Sequence, residues 1–124
     1  MIIVIDGPAG SGKSSTARAI ADRLDIEYLD SGALYRTVTL IYLEVNRDKK
    51  TFFYILDQKK ISFYYEDQKF HVAVDGQSVT DKIRTTEVTD AVSEVAAIPR
   101  VRSFVNDLMR DDVLDGIYIA EGRD

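Results

Sequence analysis

The sequence predicts an α/β fold, a parallel sheet with flanking helices that carries a small antiparallel insert. Three observations predict it. A continuous apolar run over residues 1–5 passes into a glycine-rich segment and then into apolar residues at helical spacing, the strand–loop–helix of a buried parallel sheet. Strand and helix patterns keep alternating before and after the middle of the chain, and that alternation implies parallel strands joined by right-handed crossovers. Between residues 61 and 79 the period changes to two, as in short antiparallel strands. The expected organisation is a first part of the core over 1–58, the insert over 59–84, and return helices with a further core strand over 85–124.

Each element has its own signal. After the glycine-rich segment Ala17, Ile20, Ala21 and Leu24 recur on one helix face, with Arg18, Asp22 and Arg23 on the other. Residues 26–29 form a short strand. Asp30-Ser31-Gly32 is a break, with Ser31 expected to cap the helix that follows over about 33–45, whose apolar face is Leu34, Val38, Ile41 and Val45. Residues 46–50 make a polar loop, and 52–56 open a further short helix. In the insert Ile61, Phe63 and Tyr65 alternate, residues 66–69 turn, Phe70, Val72 and Val74 alternate back, and Asp75-Gly76 is a strong turn signal before Val79. Phe63, Tyr64 and Tyr65 are expected to pack this insert, and His71, the sole histidine, to be structural.

Helical spacing returns with Val88, Ala91, Val92 and Val95, behind a cap expected at Thr85-Thr86. Pro99 can start a helix at its first turn, and Val101, Phe104, Val105, Leu108 and Met109 supply the apolar face. Asp111, Asp112 and Asp115 read as a solvated helix end rather than a carboxylate cluster. Asp115-Gly116 turns into a last strand over 117–120, and Glu121-Gly122-Arg123-Asp124 follows it at once.

The composition excludes several classes. With 124 residues, one domain is expected, able to bury about two-thirds of its unfolded surface. A net charge of −5 argues against a general nucleic-acid surface, and any phosphate site must be locally positive. There is no cysteine, so disulfides and Cys-based metal sites are excluded. No apolar run reaches the roughly 18 residues of a membrane span, and the apolar start lacks the basic flank and length of a signal peptide. A cytoplasmic protein without nucleic-acid or membrane partners is expected.

The glycine-rich segment carries the first chemical signal. Gly7-Pro8-Ala9-Gly10-Ser11-Gly12-Lys13-Ser14 fits the phosphate loop, Gly-x-x-x-x-Gly-Lys-Ser/Thr, which makes the sheet one of the P-loop NTPase type. Backbone N–H groups must wrap a triphosphate closely, so glycines line the wrap, and the following helix aims its positive dipole end at the anion. Lys13 adds a mobile charge toward the outer phosphates, and Ser14 offers a hydroxyl to magnesium. In a parallel sheet ligands sit beyond the carboxyl ends of the strands. The segments 6–15, 30–36 and 121–124 all follow strands and therefore converge on one crevice. Within the second, Arg36 lies in the first turns of a helix, where the dipole does not ask for a cation. It is either a surface arginine in a salt bridge or a fork for a second phosphate.

With Tyr28-Leu29-Asp30-Ser31-Gly32-Ala33-Leu34-Tyr35-Arg36, Ile83-Arg84-Thr85, the run from Ser93 through Pro99 to Arg102, and Glu121-Gly122-Arg123-Asp124 in that order, the sequence resembles the bacterial cytidylate kinases, over nearly the whole chain. The resemblance implies phosphoryl transfer from ATP to CMP or dCMP, giving ADP and CDP or dCDP. It also implies a nucleoside monophosphate kinase fold with an ATP-holding core, a monophosphate-binding insert and a mobile lid. ATP would be held by Gly7, Pro8, Ala9, Gly10, Ser11, Gly12, Lys13, Ser14 and Ser15. Lys13 and Arg123 would act on the transferring phosphates. Mg2+ would lie near Ser14 and Glu121, the latter a position where many members carry Asp. CMP would meet Ser31, Tyr35, Arg36, Ser93, Arg102 and Asp124, with Ser93 reading the ring and Asp124 accepting from the cytosine amino group or the sugar.

Such a reaction needs alignment and charge neutralisation more than covalent help, and the acceptor oxygen is already ionised, so no strong base is required. The alternatives are another P-loop small-molecule kinase, or a nucleotide-binding module without activity. In the family the lid and its arginines follow the Gly-Arg-Asp segment, so the sequence reads as truncated before the lid and the core as incomplete. Weak nucleotide binding, little turnover, and self-association through an unpaired edge of the first strand are the expectations for this chain alone.

Overall fold

A computed structural model describes residues 2–5, 13–24, 27–67, 69–112 and 118–121, with side chains over 19–24, 29–67 and 69–111. The elements in order are β1 (Ile2–Ile5), α1 (Lys13–Leu24), β2 (Glu27–Leu29), α2 (Ser31–Glu44), α3 (Lys49–Leu56), β3 (Ile61–Glu66), β4 (Lys69–Val74), β5 (Gln77–Ser78), a 3₁₀ turn (Lys82–Arg84), α4 (Thr86–Ala96), α5 (Pro99–Asp112) and β6 (Tyr118–Glu121).

The apolar runs at the two ends of the chain meet in one sheet. Its order is β1-β6-β2, so the last strand in sequence is central. Both pairings are parallel, with Ile5 opposite Glu121 and Leu29 opposite Ala120. That register brings the carboxyl ends of all three strands to one level. A second, antiparallel sheet has the order β3-β4-β5. The molecule is a mixed helix and strand structure, and among the described residues no helix is long and apolar enough to cross a membrane.

α2 is the centre of the packing. α3, α4, α5, the 3₁₀ turn and β4 all contact it. The expected stripe of Leu34, Val38 and Ile41 is buried, but so are Ala33, Thr37, Thr39 and Tyr42. Burial therefore reaches round more of the helix than one face. Thr37 and Thr39 tolerate it because their hydroxyls donate to the carbonyls of Ala33 and Tyr35, each at 2.8 Å, so no polar atom is left unpaired.

The start of α2 corrects one expectation. The cap is Asp30, not Ser31: its backbone is extended, and its carboxylate accepts from the Ala33 amide at 3.1 Å. A carboxylate satisfies the orphan amide and also opposes the positive end of the helix dipole, so Ser31 is drawn in as the first helical residue. At the other end Asn46 (φ 55°) and Arg47 (φ 61°) take left-handed conformations. The Arg47 amide bonds the Tyr42 carbonyl and the Asn46 amide that of Leu43, both at 3.0 Å, which closes the helix as a Schellman motif.

Part of the expected polar loop is helical. Asp48 caps α3 by accepting from the Thr51 amide and hydroxyl, which starts that helix at Lys49. Those two bonds, the hydroxyl's first, hold the Asp48 carboxyl below its ordinary pKa. Thr85 caps α4 through the Val88 amide at 3.4 Å, and Pro99 opens α5, both as the sequence predicts.

In the antiparallel sheet Ile61, Phe63, Phe70 and Val72 face the common core, and the Phe63 and Phe70 rings lie 5.4 Å apart. Tyr65 is half-buried, and its hydroxyl donates to Asp22 of α1 at 3.2 Å. Tyr64 does not pack inward. It is 54% exposed and stacks on its cross-strand neighbour His71 at 4.7 Å, because period-two alternation turns it outward once Phe63 faces in. A two-residue turn, Asp75-Gly76 with φ of 51° and 83°, joins β4 to β5. This is the positive-φ pair that Asp-Gly hairpins favour. The Asp75 carboxylate also accepts from the Lys60 amide at 2.9 Å, chiefly for which its pKa is lowered.

Candidate active site

The level strand ends define one edge of the parallel sheet, and the site is built there. α2 begins immediately after β2, with Asp30 between them. One Asp30 oxygen caps α2, while the other lies 3.6 Å from the guanidinium of Arg84, at the end of the 3₁₀ turn. The Asp30 side chain is 17% exposed and that of Arg84 53%. Arg36, further along α2, reaches the same turn from the other direction. Its Nη1 donates to the Ile83 carbonyl at 3.3 Å and to the Thr89 hydroxyl of α4 at 2.7 Å.

Two guanidinium groups and one carboxylate thus gather around the N-terminus of α2. Both guanidinium groups stand near the start of α2, at the positive end of its dipole, in a chain of net charge −5. An anion bound there would meet donors held by backbone and side-chain bonds before it arrives. The sequence left Arg36 between a surface salt bridge and a phosphate fork. Its described bonds are to a carbonyl and a hydroxyl, which hold the guanidinium against the 3₁₀ turn and α4.

The other expected residues are placed as follows. Ser31 is the first residue of α2 and only 8% exposed, and Tyr35 is half-buried beside Arg36. Ser93 is exposed on α4, one helical turn beyond Thr89 and on the same face. Arg102 is exposed on α5 and is not joined to this cluster by a described contact. Lys13, Ser14 and Ser15 open α1, and Glu121 ends β6; of these four only the backbone path is described. Gly7, Pro8, Ala9, Gly10, Ser11, Gly12, Arg123 and Asp124 lie outside the described residues.

Sequence reasoning gave no role to Arg84 or Thr89, and did not see that Asp30 serves both as a cap and as an ion-pair partner. Arg84 is 54 positions from Asp30 in the chain, and no local pattern links them. Thr89 had a faint signal in its spacing of four from Ser93.

The model of a family described as cytidylate kinase matches residues 3–124. The chain belongs to the cytidylate kinase family. Among curated cytidylate kinases, that of Carboxydothermus hydrogenoformans is 39% identical, covering 100% of this chain and 57% of the relative. That of Lactococcus lactis is 39% identical over 98% of this chain and 56% of the relative. A bifunctional pantoate ligase/cytidylate kinase of Trichodesmium erythraeum is 42% identical over 99% of this chain and 24% of the relative. The chain spans little more than half the length of the single-function cytidylate kinases it matches. Within this member of the cytidylate kinase family, the cluster around Arg36 joins two of the motifs that carried the resemblance, 28–36 and 83–85, in one place.

Proposed function

We propose that this chain carries the nucleotide sites of a cytidylate kinase, transferring a phosphoryl group from ATP to CMP or dCMP to give ADP and CDP or dCDP. The observation that carries the reading is the gathering of the Arg36 and Arg84 guanidinium groups near the start of α2, beyond the edge where the three parallel strands end. In this reading the parallel sheet is a P-loop NTPase core. The loop over 7–12 with Lys13, Ser14 and Ser15 wraps the ATP phosphates, and Arg123 lies beside them. The antiparallel region over 59–84 is the monophosphate-binding insert between the core segments 1–58 and 85–124. Arg36 takes the acceptor phosphate, with Ser31, Tyr35, Ser93, Arg102 and Asp124 completing the monophosphate site.

The residues' work is orientation and neutralisation. Lys13 screens the donor and Arg36 the acceptor, so two anions approach that would otherwise repel. The hydroxyl of Ser14 and the carboxylate of Glu121 are the oxygen donor set that magnesium accepts, and the ion supplies further screening of the ATP phosphates when bound. A cytoplasmic setting and pairing of a second copy along the outer edge of β1 belong to the same proposal.

Calorimetric titration with CMP and ATP, separately and together, tests it. In a protein of the relatives' full length that carries these sites, Lys13→Ala should abolish transfer, at a loss on the order of 2–4 kcal/mol or more of transition-state stabilisation. Arg36→Ala should weaken CMP and leave ATP. If Arg36→Ala weakens only ATP, the two-site assignment is wrong. Competition with UMP, AMP and shikimate-like acids separates CMP from the acceptors of other P-loop kinases.

A further inference from the structure

The Thr89–Arg36 hydrogen bond has a geometry that bears on how the acceptor site is set. Thr89 is exposed on α4, and its hydroxyl is the nearer of the two oxygens described at Arg36 Nη1, 2.7 Å against 3.3 Å for the Ile83 carbonyl. A guanidinium is a rigid planar fork on a flexible stem, so two bonds at one nitrogen orient the whole plane. Both acceptors belong to one contiguous piece of chain, the 3₁₀ turn and the α4 that follows it, and that piece also meets the start of α2 through the Arg84–Asp30 ion pair and the residues just past its end through Arg47–Glu94 at 2.7 Å. Ser93 is one turn beyond Thr89 on α4. The helix that orients Arg36 therefore also carries Ser93 at a fixed separation of about 6 Å along its axis.

We infer that Thr89 is a positioning residue for the pyrimidine nucleoside monophosphate: its hydroxyl pre-orients the Arg36 fork and sets the spacing between the group that takes the phosphate and the serine on the base side. The inference rests on the proposed function. Without the hydroxyl Arg36 keeps its charge but loses the shorter of its two described bonds at Nη1, so its fork is held less closely before the ligand binds. The loss falls on the monophosphate alone, because Thr89 belongs to neither the phosphate loop nor α1.

The test is calorimetric titration of the full chain with CMP and with ATP, for the wild type, Thr89→Val, Thr89→Ser, Arg36→Ala and the double variant Arg36→Ala/Thr89→Val, with thermal unfolding of each. Thr89→Val keeps the shape and removes the hydroxyl at an exposed position, so its unfolding midpoint should stay with the wild type. CMP affinity should fall roughly three- to tenfold, the net worth of one ordinary hydrogen bond, because Thr89 acts on the ligand only through Arg36. Thr89→Ser should restore it, ATP affinity should not change, and in the Arg36→Ala background Thr89→Val should add nothing. Wild-type CMP affinity in Thr89→Val, beside a clear loss in Arg36→Ala, would overturn the role of Thr89 while leaving the acceptor site standing. Unchanged CMP affinity in Arg36→Ala would overturn the site itself, and the inference with it.

Discussion

Removing the Asp30 carboxylate should destabilise the chain mainly by uncapping α2, and only slightly by losing an ion pair. Asp30 makes two interactions of different worth. Its bond to the Ala33 amide at 3.1 Å satisfies a donor that would otherwise be orphaned in a largely buried helix turn. An N-cap carboxylate replaced by alanine costs about 1 kcal/mol, rising toward 2 where the helix is central to the fold. The pair with Arg84 is 3.6 Å long and its arginine is 53% exposed, so solvent screening reduces its share to a few tenths of a kcal/mol. Asp30→Ala should therefore cost about 1.5–2 kcal/mol, which in a domain of this size lowers the unfolding midpoint by about 5–10 °C. Asp30→Ser separates the two contributions, since a hydroxyl can cap but cannot pair with Arg84. It should recover most of the loss in urea or thermal unfolding followed by circular dichroism. If Asp30→Ser unfolds as early as Asp30→Ala, the ion pair dominates and the weighting is wrong; if Asp30→Ala is as stable as the wild type, the cap itself is refuted.

Two further outcomes follow from the packing and the charges. Leu34 is fully buried in α2, where helices and strands surround it, so Leu34→Ala should cost about 3–5 kcal/mol in denaturant unfolding; a loss below 1 kcal/mol would mean that the core collapses around the site. Asp48 and Asp75 have folded pKa values below the ordinary 3.8, so each stabilises the fold fully above that value and loses its contribution as pH falls through the depressed folded one. The double variant Asp48→Asn/Asp75→Asn should therefore flatten the fall of stability below about pH 4, measured by urea unfolding across an acid series. An acid limb as steep as the wild type's would show that other carboxylates carry it.

Local signals carried most of the element boundaries, and their failures have identifiable causes. The Asp75-Gly76 turn, the Thr85 cap and the Pro99 helix start each depend on the backbone preferences of one or two residues, and each stands where it was predicted. Ser31 and Asp30 are both competent caps adjacent in sequence, and Asp30 takes the role because its carboxylate both accepts from the Ala33 amide and opposes the helix dipole. Tyr64 packs within the insert as expected, but on its outer face against His71, because strand alternation decides the face. The burial of Thr37 and Thr39 was illegible because helix periodicity shows the apolar stripe and not how many neighbours will surround the helix.

The candidate site divides along the same line. Residue types and their spacing carried the family and the chemistry proposed for it: a glycine-rich loop ahead of a lysine, an arginine misplaced for its helix dipole, and motifs whose order matched one enzyme family. Those signals are legible because backbone conformation and charge act over a few residues. Tertiary structure alone decided that β6, last in the chain, lies between β1 and β2, and that Arg84 and Thr89 come to the start of α2. Pairings across such separations depend on which apolar surfaces are buried together, a property of the whole packed chain that no short window of sequence contains.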